Sequence, residues 1–238
     1  IKSVSMFIKQ NLTKDEQHQL ISSGTGSGKT FGFQLGIICL IVLNRLDGQN
    51  SSKIEFLMVY PRVALALDQH SSFNDLLKSV NNLLVLRSLN PIISILDAGS
   101  QLKNQIKKIG APNENLKTTN KAAEWTYGVK KPDVIVTNPD TLKNRLWKTH
   151  ASLSLKSELR SVILDEVHLY EGLTGANYSN VIRRLRLLSQ SNLHFCGVSA
   201  TIADGKQHMA NVTGCDYRIV NIIEPETEDL VLNGIVHH

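Results

Sequence analysis

Two short stretches of this chain place reactive side chains where they would meet a phosphate. The first is Ser23-Gly24-Thr25-Gly26-Ser27-Gly28-Lys29-Thr30, a glycine-rich turn between a short β-branched run and an amphipathic segment. Gly26 and Gly28 admit positive φ and put no Cβ in the way, so backbone N–H groups can wrap phosphate oxygens. Lys29 then sets its ammonium on the β- and γ-phosphates, and the Thr30 hydroxyl ligates Mg2+. A plain Gly/Ser turn ahead of a helix is the alternative, which the flanking elements disfavour. The second stretch, Ser161-Val162-Ile163-Leu164-Asp165-Glu166-Val167-His168, ends an apolar run in two adjacent carboxylates. Asp165 is the candidate for holding Mg2+ through water, and Glu166 for orienting and deprotonating an attacking water. Such a pair alone is often only solvated; a phosphate loop upstream gives it a purpose.

These groups need a scaffold that brings residues 29 and 165 together. Short β-branched runs alternate with longer amphipathic segments, the pattern of an α/β fold with a mainly parallel sheet and helices on both faces. The spacing predicts strands over 19–23, 54–60, 92–96, 133–137, 161–165 and 193–199, and helices over 30–44, 63–80, 141–148, 177–189 and 205–212. Val134-Ile135-Val136 and Val162-Ile163-Leu164 are apolar throughout, as strands buried on both faces are. Asp165 and Glu166 then fall at the carboxyl edge of the sheet, where such folds bind ligands. Residues 12–18 are polar and brief, leaving little room for a helix before the first strand. Residues 110–131, with Pro112 and several Asn and Lys, read as an exposed insertion in which Trp125 and Tyr127 pack locally or stack on bases.

Composition sets outer bounds. The 238 residues, 42% apolar, suffice for one large domain. A net charge of +5 favours a polyanionic partner without deciding it. Cys39, Cys196 and Cys215 lack metal or redox spacing and read as free, buried thiols of a reducing cytoplasm. The apolar run over 36–43 is too short to span a bilayer, so no membrane partner is expected. The start at Ile1 and the end at His237 and His238 suggest a piece of a longer protein.

With these residues in place, a resemblance becomes specific. Asp165-Glu166-Val167-His168 is similar to the DExH form of helicase motif II, and Ser199-Ala200-Thr201 resembles motif III. Together they imply a superfamily 2 helicase, with a RecA-like P-loop NTPase domain working on Mg-ATP. Ser23 stands where a general phosphate loop has Gly, a departure this superfamily tolerates. By the resemblance, His168 joins the carboxylates to the Ser199 and Thr201 hydroxyls and couples hydrolysis to domain movement. Tyr60-Pro61-Arg62-Val63-Ala64-Leu65-Ala66-Leu67-Asp68-Gln69 resembles motif Ia, which grips a nucleic-acid backbone through Pro61, Arg62 and Gln69, although Val63 replaces the family's usual polar residue. Thr137-Asn138-Pro139-Asp140 looks like motif Ib, where Thr137 and Asn138 would hold a second phosphate and Asp140 would cap the helix. Asp97-Ala98-Gly99-Ser100 would be the glycine turn between them. Arg183, Arg184 and Arg186 read as a solvated helix face.

The runs 137–140, 170–176 and 199–203, leading to Asn211-Val212-Thr213-Gly214, resemble the MrfA/YprA-type DNA repair helicases and the related DISARM phage-defence helicase DrmA. That likeness covers most of 21–214 and implies ATP-driven translocation on single-stranded DNA. On this basis residues 1–223 form the first of two RecA-like domains, and 224–238 a linker or the start of the next region. The second domain, with its arginine-rich motif, would come from the rest of the protein, together with any partner subunits. Two other readings stay open: a DExH-box RNA helicase, and a non-motor ATP-binding scaffold of a larger complex.

Overall fold

The computed structural model describes residues 2–12, 17–22, 29–48, 54–98, 132–147, 159–189, 192–200 and 202–224. In chain order the elements are α1 (Lys2–Leu12), β1 (His18–Ser22), α2 (Lys29–Leu46), β2 (Phe56–Val59), α3 (Val63–Leu86), β3 (Ser94–Asp97), β4 (Val134–Thr137), α4 (Pro139–Leu146), β5 (Ser161–Leu164), a 3-10 turn (Val167–Leu169), α5 (Gly172–Leu188), β6 (His194–Ser199), α6 (Gly205–Thr213), a second 3-10 turn (Tyr217–Ile219) and β7 (Val220–Ile223). The seven strands form one parallel sheet in the order β3-β4-β2-β5-β6-β1-β7. The α/β architecture expected from the sequence is therefore the observed one.

Consecutive strand residues feed opposite layers because side chains alternate across a pleat. Ile21, Met58, Ile163 and Cys196 pack with Phe33, Ile37 and Phe73 of α2 and α3, beside Phe7 of α1. Their neighbours Leu20, Leu57, Val162 and Phe195 pack with Leu142, Ile182, Leu185 and Met209 of α4, α5 and α6. Among the described residues three helices thus cover each face. This double burial explains why the strands read as continuous apolar runs.

Several sequence expectations need correction. A helix does precede β1: α1 ends at Leu12, and only the stretch beyond it is short. Its Phe7 is fully buried against α2, where a Cβ on Gly36 would lie 2.7 Å from the ring. The periodicity hid this helix because its inward face also carries Gln10 and Asn11. Both are buried and both reach His194, Gln10 Oε1 lying 3.0 Å from Nε2 and Asn11 Nδ2 3.2 Å from Nδ1. His18, read as part of a polar connector, is the fully buried first residue of β1, and its Nδ1 accepts the Phe195 N–H at 3.2 Å.

Helix α5 starts at Gly172, five residues before the expected start, and α3 continues to Leu86. The segment 217–223 divides into a 3-10 turn and β7. Asn138, not Asp140, caps α4: its side chain accepts from the Thr141 N–H at 2.9 Å, while Asp140 is exposed in the first turn. The arginines of α5 are not simply solvated. Arg183 Nε donates to the Asn211 carbonyl at 3.1 Å, Arg186 donates to the Gly214 carbonyl, and Arg184 stacks 3.8 Å over the Trp147 ring. The first two satisfy carbonyls that the end of α6 leaves without helical partners.

The amino edge of the sheet is fastened by polar groups. Arg45 at the end of α2 and Asp133 before β4 form an ion pair with both side chains 1% exposed. Asp133 Oδ2 also accepts the Ile93 N–H at 2.9 Å, and Asn44 donates to Glu55 at 2.9 Å. Cys196 and Cys215 are buried and Cys39 half-buried, all three as free thiols. Among the described residues no helix is long and apolar enough to cross a membrane. The insertion over 110–131, with Trp125 and Tyr127, lies outside them.

Candidate nucleotide site at the carboxyl edge

Parallel strands end on the same side, and the register fixes which ends are neighbours. Ser22, the last residue of β1, pairs with Ser199, the last of β6; Gly197 of β6 pairs with Leu164, the last of β5. Only β6 separates β1 from β5, so their ends are two strand spacings, roughly 10 Å, apart. Residues 23–28 of the glycine-rich stretch lie outside the described residues, flanked by the end of β1 and the start of α2. Lys29 is the first residue of α2, and Thr30, half-buried, sits in its first turn.

The acids continue β5. The Asp165 N–H donates to the Val59 carbonyl at 3.0 Å, carrying the ladder one residue past the strand, and Asp165 is 6% exposed. Its charge is felt by its neighbours: burial first, and Asp165 second, raise Tyr60, Tyr170 and Cys196 above their ordinary values. These three stay protonated near neutral pH.

Glu166 turns the chain away from the sheet. Its backbone is left-handed, φ 47° and ψ 46°, a conformation uncommon for a non-glycine residue and concentrated at functional sites. Nothing in the residue type announces this. The turn is closed by the Leu169 N–H donating to the Glu166 carbonyl at 2.8 Å and the Tyr170 N–H to the Val167 carbonyl at 3.0 Å. Gly175 then lets α5 begin close by, since a Cβ there would lie 2.1 Å from the Tyr170 carbonyl carbon.

The turn seats His168 over β6. Its Nδ1 lies 3.0 Å from Ser199 Oγ and 3.3 Å from Glu166 Oε2. One ring nitrogen therefore links the carboxylate at the end of β5 to the hydroxyl at the end of β6, beside the last residue of β1. The structure thus brings residues 166, 168 and 199 together; Thr201 lies outside the described residues.

The ledge next to this corner differs in detail from its sequence reading. Arg62 is exposed at the start of α3, in extended conformation, with no side-chain bond to the helix end. Pro61 is half-buried beside it. Gln69 is half-buried two helical turns further along, about 10 Å away by helix rise. Thr137 and Asn138 are both 2% exposed. Thr137 Oγ1 donates to the Asp97 carbonyl at 2.7 Å and Asn138 is spent on its cap, so these side chains shape the ledge from within rather than reaching out. Sequence reasoning missed the brace behind them. Arg145 of α4 donates to both carboxylate oxygens of Asp97, at 2.6 and 2.9 Å, joining edge strand β3 to α4. Asp97, expected in a glycine turn, ends β3, and Gly99 and Ser100 lie outside the described residues.

The DEAD/DEAH box helicase family matches residues 5–209. The ATP-dependent helicase HRQ1 of Saccharomyces cerevisiae is 28% identical over 204 residues, covering 83% of this chain and 16% of that protein. The ATP-dependent helicase YprA of Bacillus subtilis is 26% identical over 201 residues, 83% of this chain and 22% of its own. The chain thus spans about a fifth of these relatives. Two solved structures share the fold. Mycobacterium smegmatis Lhr bound to single-stranded DNA and AMP-PNP superposes with a TM-score of 0.66 at 22% identity, over 94% of this chain and 26% of that one. MrfA bound to DNA gives 0.61 at 20% identity, over 94% and 25%. With the acids, His168 and Ser199 gathered on adjacent strand ends and the family match running through all of them, the chain belongs to the DEAD/DEAH box helicases.

Proposed function

We propose that this chain is the first RecA-like half, residues 1–223, of a Mg-ATP-driven motor that moves along single-stranded DNA in repair or phage defence in the cytoplasm, with residues 224–238 leading to the second half. The observation that carries the reading is the His168 Nδ1 bridge between Glu166 and Ser199. It joins a base suited to activating water to the strand that lies between that base and the phosphate loop. In this reading residues 23–29 hold the phosphates. Asp165, just past β5, and Thr30, in the first turn of α2, are oxygen donors of the kind a hard cation takes and would hold Mg2+. Bound there, the ion supplies neutralisation of phosphate charge. Glu166 orients a water and receives its proton, and His168 keeps the carboxylate aimed.

Arg62, exposed at the N-terminus of α3, offers a phosphate both its guanidinium and the unpaired N–H groups of the helix start. DNA is preferred because the Lhr and MrfA complexes were solved with it. An arginine supplied from outside this domain is worth on the order of 10³ to 10⁵ in rate, so the domain alone should bind Mg-ATP and hydrolyse it feebly.

The test measures ATPase activity of the intact protein with single-stranded DNA and RNA oligonucleotides of equal length and base order. Stronger stimulation by DNA supports the proposal. Stronger stimulation by RNA moves it to an RNA motor, and tight nucleotide binding with no stimulation by either makes it a scaffold.

A further inference from the structure

Downstream of the Ser199 strand end, α6 touches the elements that build the site. At its first residue, Gly205 lies so close to β1 that a Cβ would come 2.4 Å from the Leu20 side chain. Met209 is fully buried over β6, where a Cβ on Gly197 would fall 2.4 Å from its sulfur. Next to Met209, His208 is only half-buried and reaches the turn after β5: its Nε2 lies 2.8 Å from the Val167 carbonyl oxygen. A carbonyl only accepts, so Nε2 carries the hydrogen and donates. The same oxygen accepts the Tyr170 N–H at 3.0 Å, which occupies both of its acceptor positions.

Val167 stands between the two residues whose placement matters most. Glu166 precedes it in a left-handed conformation that only a well-determined surrounding maintains, and His168 follows it with Nδ1 between Glu166 and Ser199. A peptide group held on its carbonyl side cannot rotate without breaking that bond; this peptide leads directly into His168, and it belongs to the same short turn that the Glu166 carbonyl closes.

We infer that His208 is a positioning residue for ATP hydrolysis: by donating to the Val167 carbonyl it fixes the turn that aims the Glu166 carboxylate and seats His168 on Ser199. The assignment rests on the ATPase reading proposed above. Packing alone does not account for His208, because Met209 beside it fills the space over the sheet while the imidazole is spent on one directed hydrogen bond.

The experiment compares His208→Phe, which keeps a ring and removes the donor, with His208→Gln, which keeps an N–H donor. In the intact protein, kcat and KM for ATP are measured with and without single-stranded DNA, alongside the melting temperature. Loss of one directed hydrogen bond predicts a kcat about tenfold lower in His208→Phe. KM should stay within about twofold and His208→Gln should keep at least half of the wild-type kcat. If His208→Phe does not fold, His208→Gln decides: retained kcat upholds the inference, and a folded His208→Gln as slow as about a tenth of wild type overturns it. A folded His208→Phe with wild-type kcat also overturns it, and so does an equal loss in both variants, which would make the role one of shape. A wild-type protein that hydrolyses no ATP overturns the ATPase reading itself, and this inference falls with it.

Discussion

Acidification from pH 7 to 5 is expected to cost the fold about 4 kcal/mol through two histidines that take no part in the site. His194, at the start of β6, is held down to about 3 by burial, and secondarily by His18, whose ring centroid is 6.4 Å away. Its hydrogen bonds agree with a neutral ring. Nε2–H donates to Gln10 Oε1 at 3.0 Å, while Nδ1 faces the Ser161 hydroxyl at 2.9 Å and the Asn11 amide nitrogen at 3.2 Å. A proton on Nδ1 would set two donors against each other. His70, on α3, is held down to about 4, again chiefly by burial, with Ser94 and Asn74 around it. In the unfolded chain both imidazoles take up a proton near about 6.5. Between that value and about 3 or 4 the unfolded state binds more protons, so stability is complete above the window and falls as pH falls through it. At pH 5 each histidine costs about 2 kcal/mol relative to neutrality, and the pair consumes much of a typical stability of about 5–15 kcal/mol. Asp133, raised by burial, works in the opposite direction, so variants are needed to isolate the histidines. Urea unfolding at pH 7, 6 and 5 should show a shallower pH slope in His194→Gln and in His70→Gln than in wild type. Equal slopes in all three proteins would refute the reasoning.

Arg45→Met should destabilise the fold by about 3–5 kcal/mol at neutral pH, because it leaves Asp133 buried without its ion-pair partner. Denaturant midpoints check this, and adding Asp133→Asn should recover most of the loss while still accepting the Ile93 N–H. In the intact protein Lys29→Ala should remove most nucleotide affinity, whereas Glu166→Gln should bind nucleotide normally and turn over none, as equilibrium binding and steady-state ATPase assays would report.

The parts of this molecule that were legible in its sequence are those where one residue type has one physical use. Val162-Ile163-Leu164 reads as a strand because it is buried on both faces, and the acids that follow it must then lie at the sheet edge. Ser199-Ala200-Thr201 could be placed beside them because another apolar run leads into it. The misreadings fall where polar residues point inward. Gln10 and Asn11 disguise α1, and the inward-turned Asn138 takes the helix cap that the pattern assigns to Asp140. The Asp97–Arg145 brace joins residues far apart in the chain, and neither local pattern nor composition records such a pair. The left-handed Glu166 was equally silent, because glutamate carries no signal for that conformation.

The two edges of the sheet handle polarity in opposite ways, and the difference separates stability from chemistry. At the amino edge His194, Asp133 and Arg45 are buried against fixed partners, so their energetics belong to folding. At the carboxyl edge Glu166 and His168 keep roughly a third of their side chains exposed and are held from behind, by a turn whose carbonyl is braced from α6. Groups left open to solvent can exchange partners during a reaction cycle; groups buried among fixed partners cannot without local unfolding. Substitutions at residues 45, 133 and 194 should therefore move unfolding midpoints and leave KM for ATP in place. Those at 166 and 208 should change turnover with little effect on melting, because their bonds order a surface turn rather than the core.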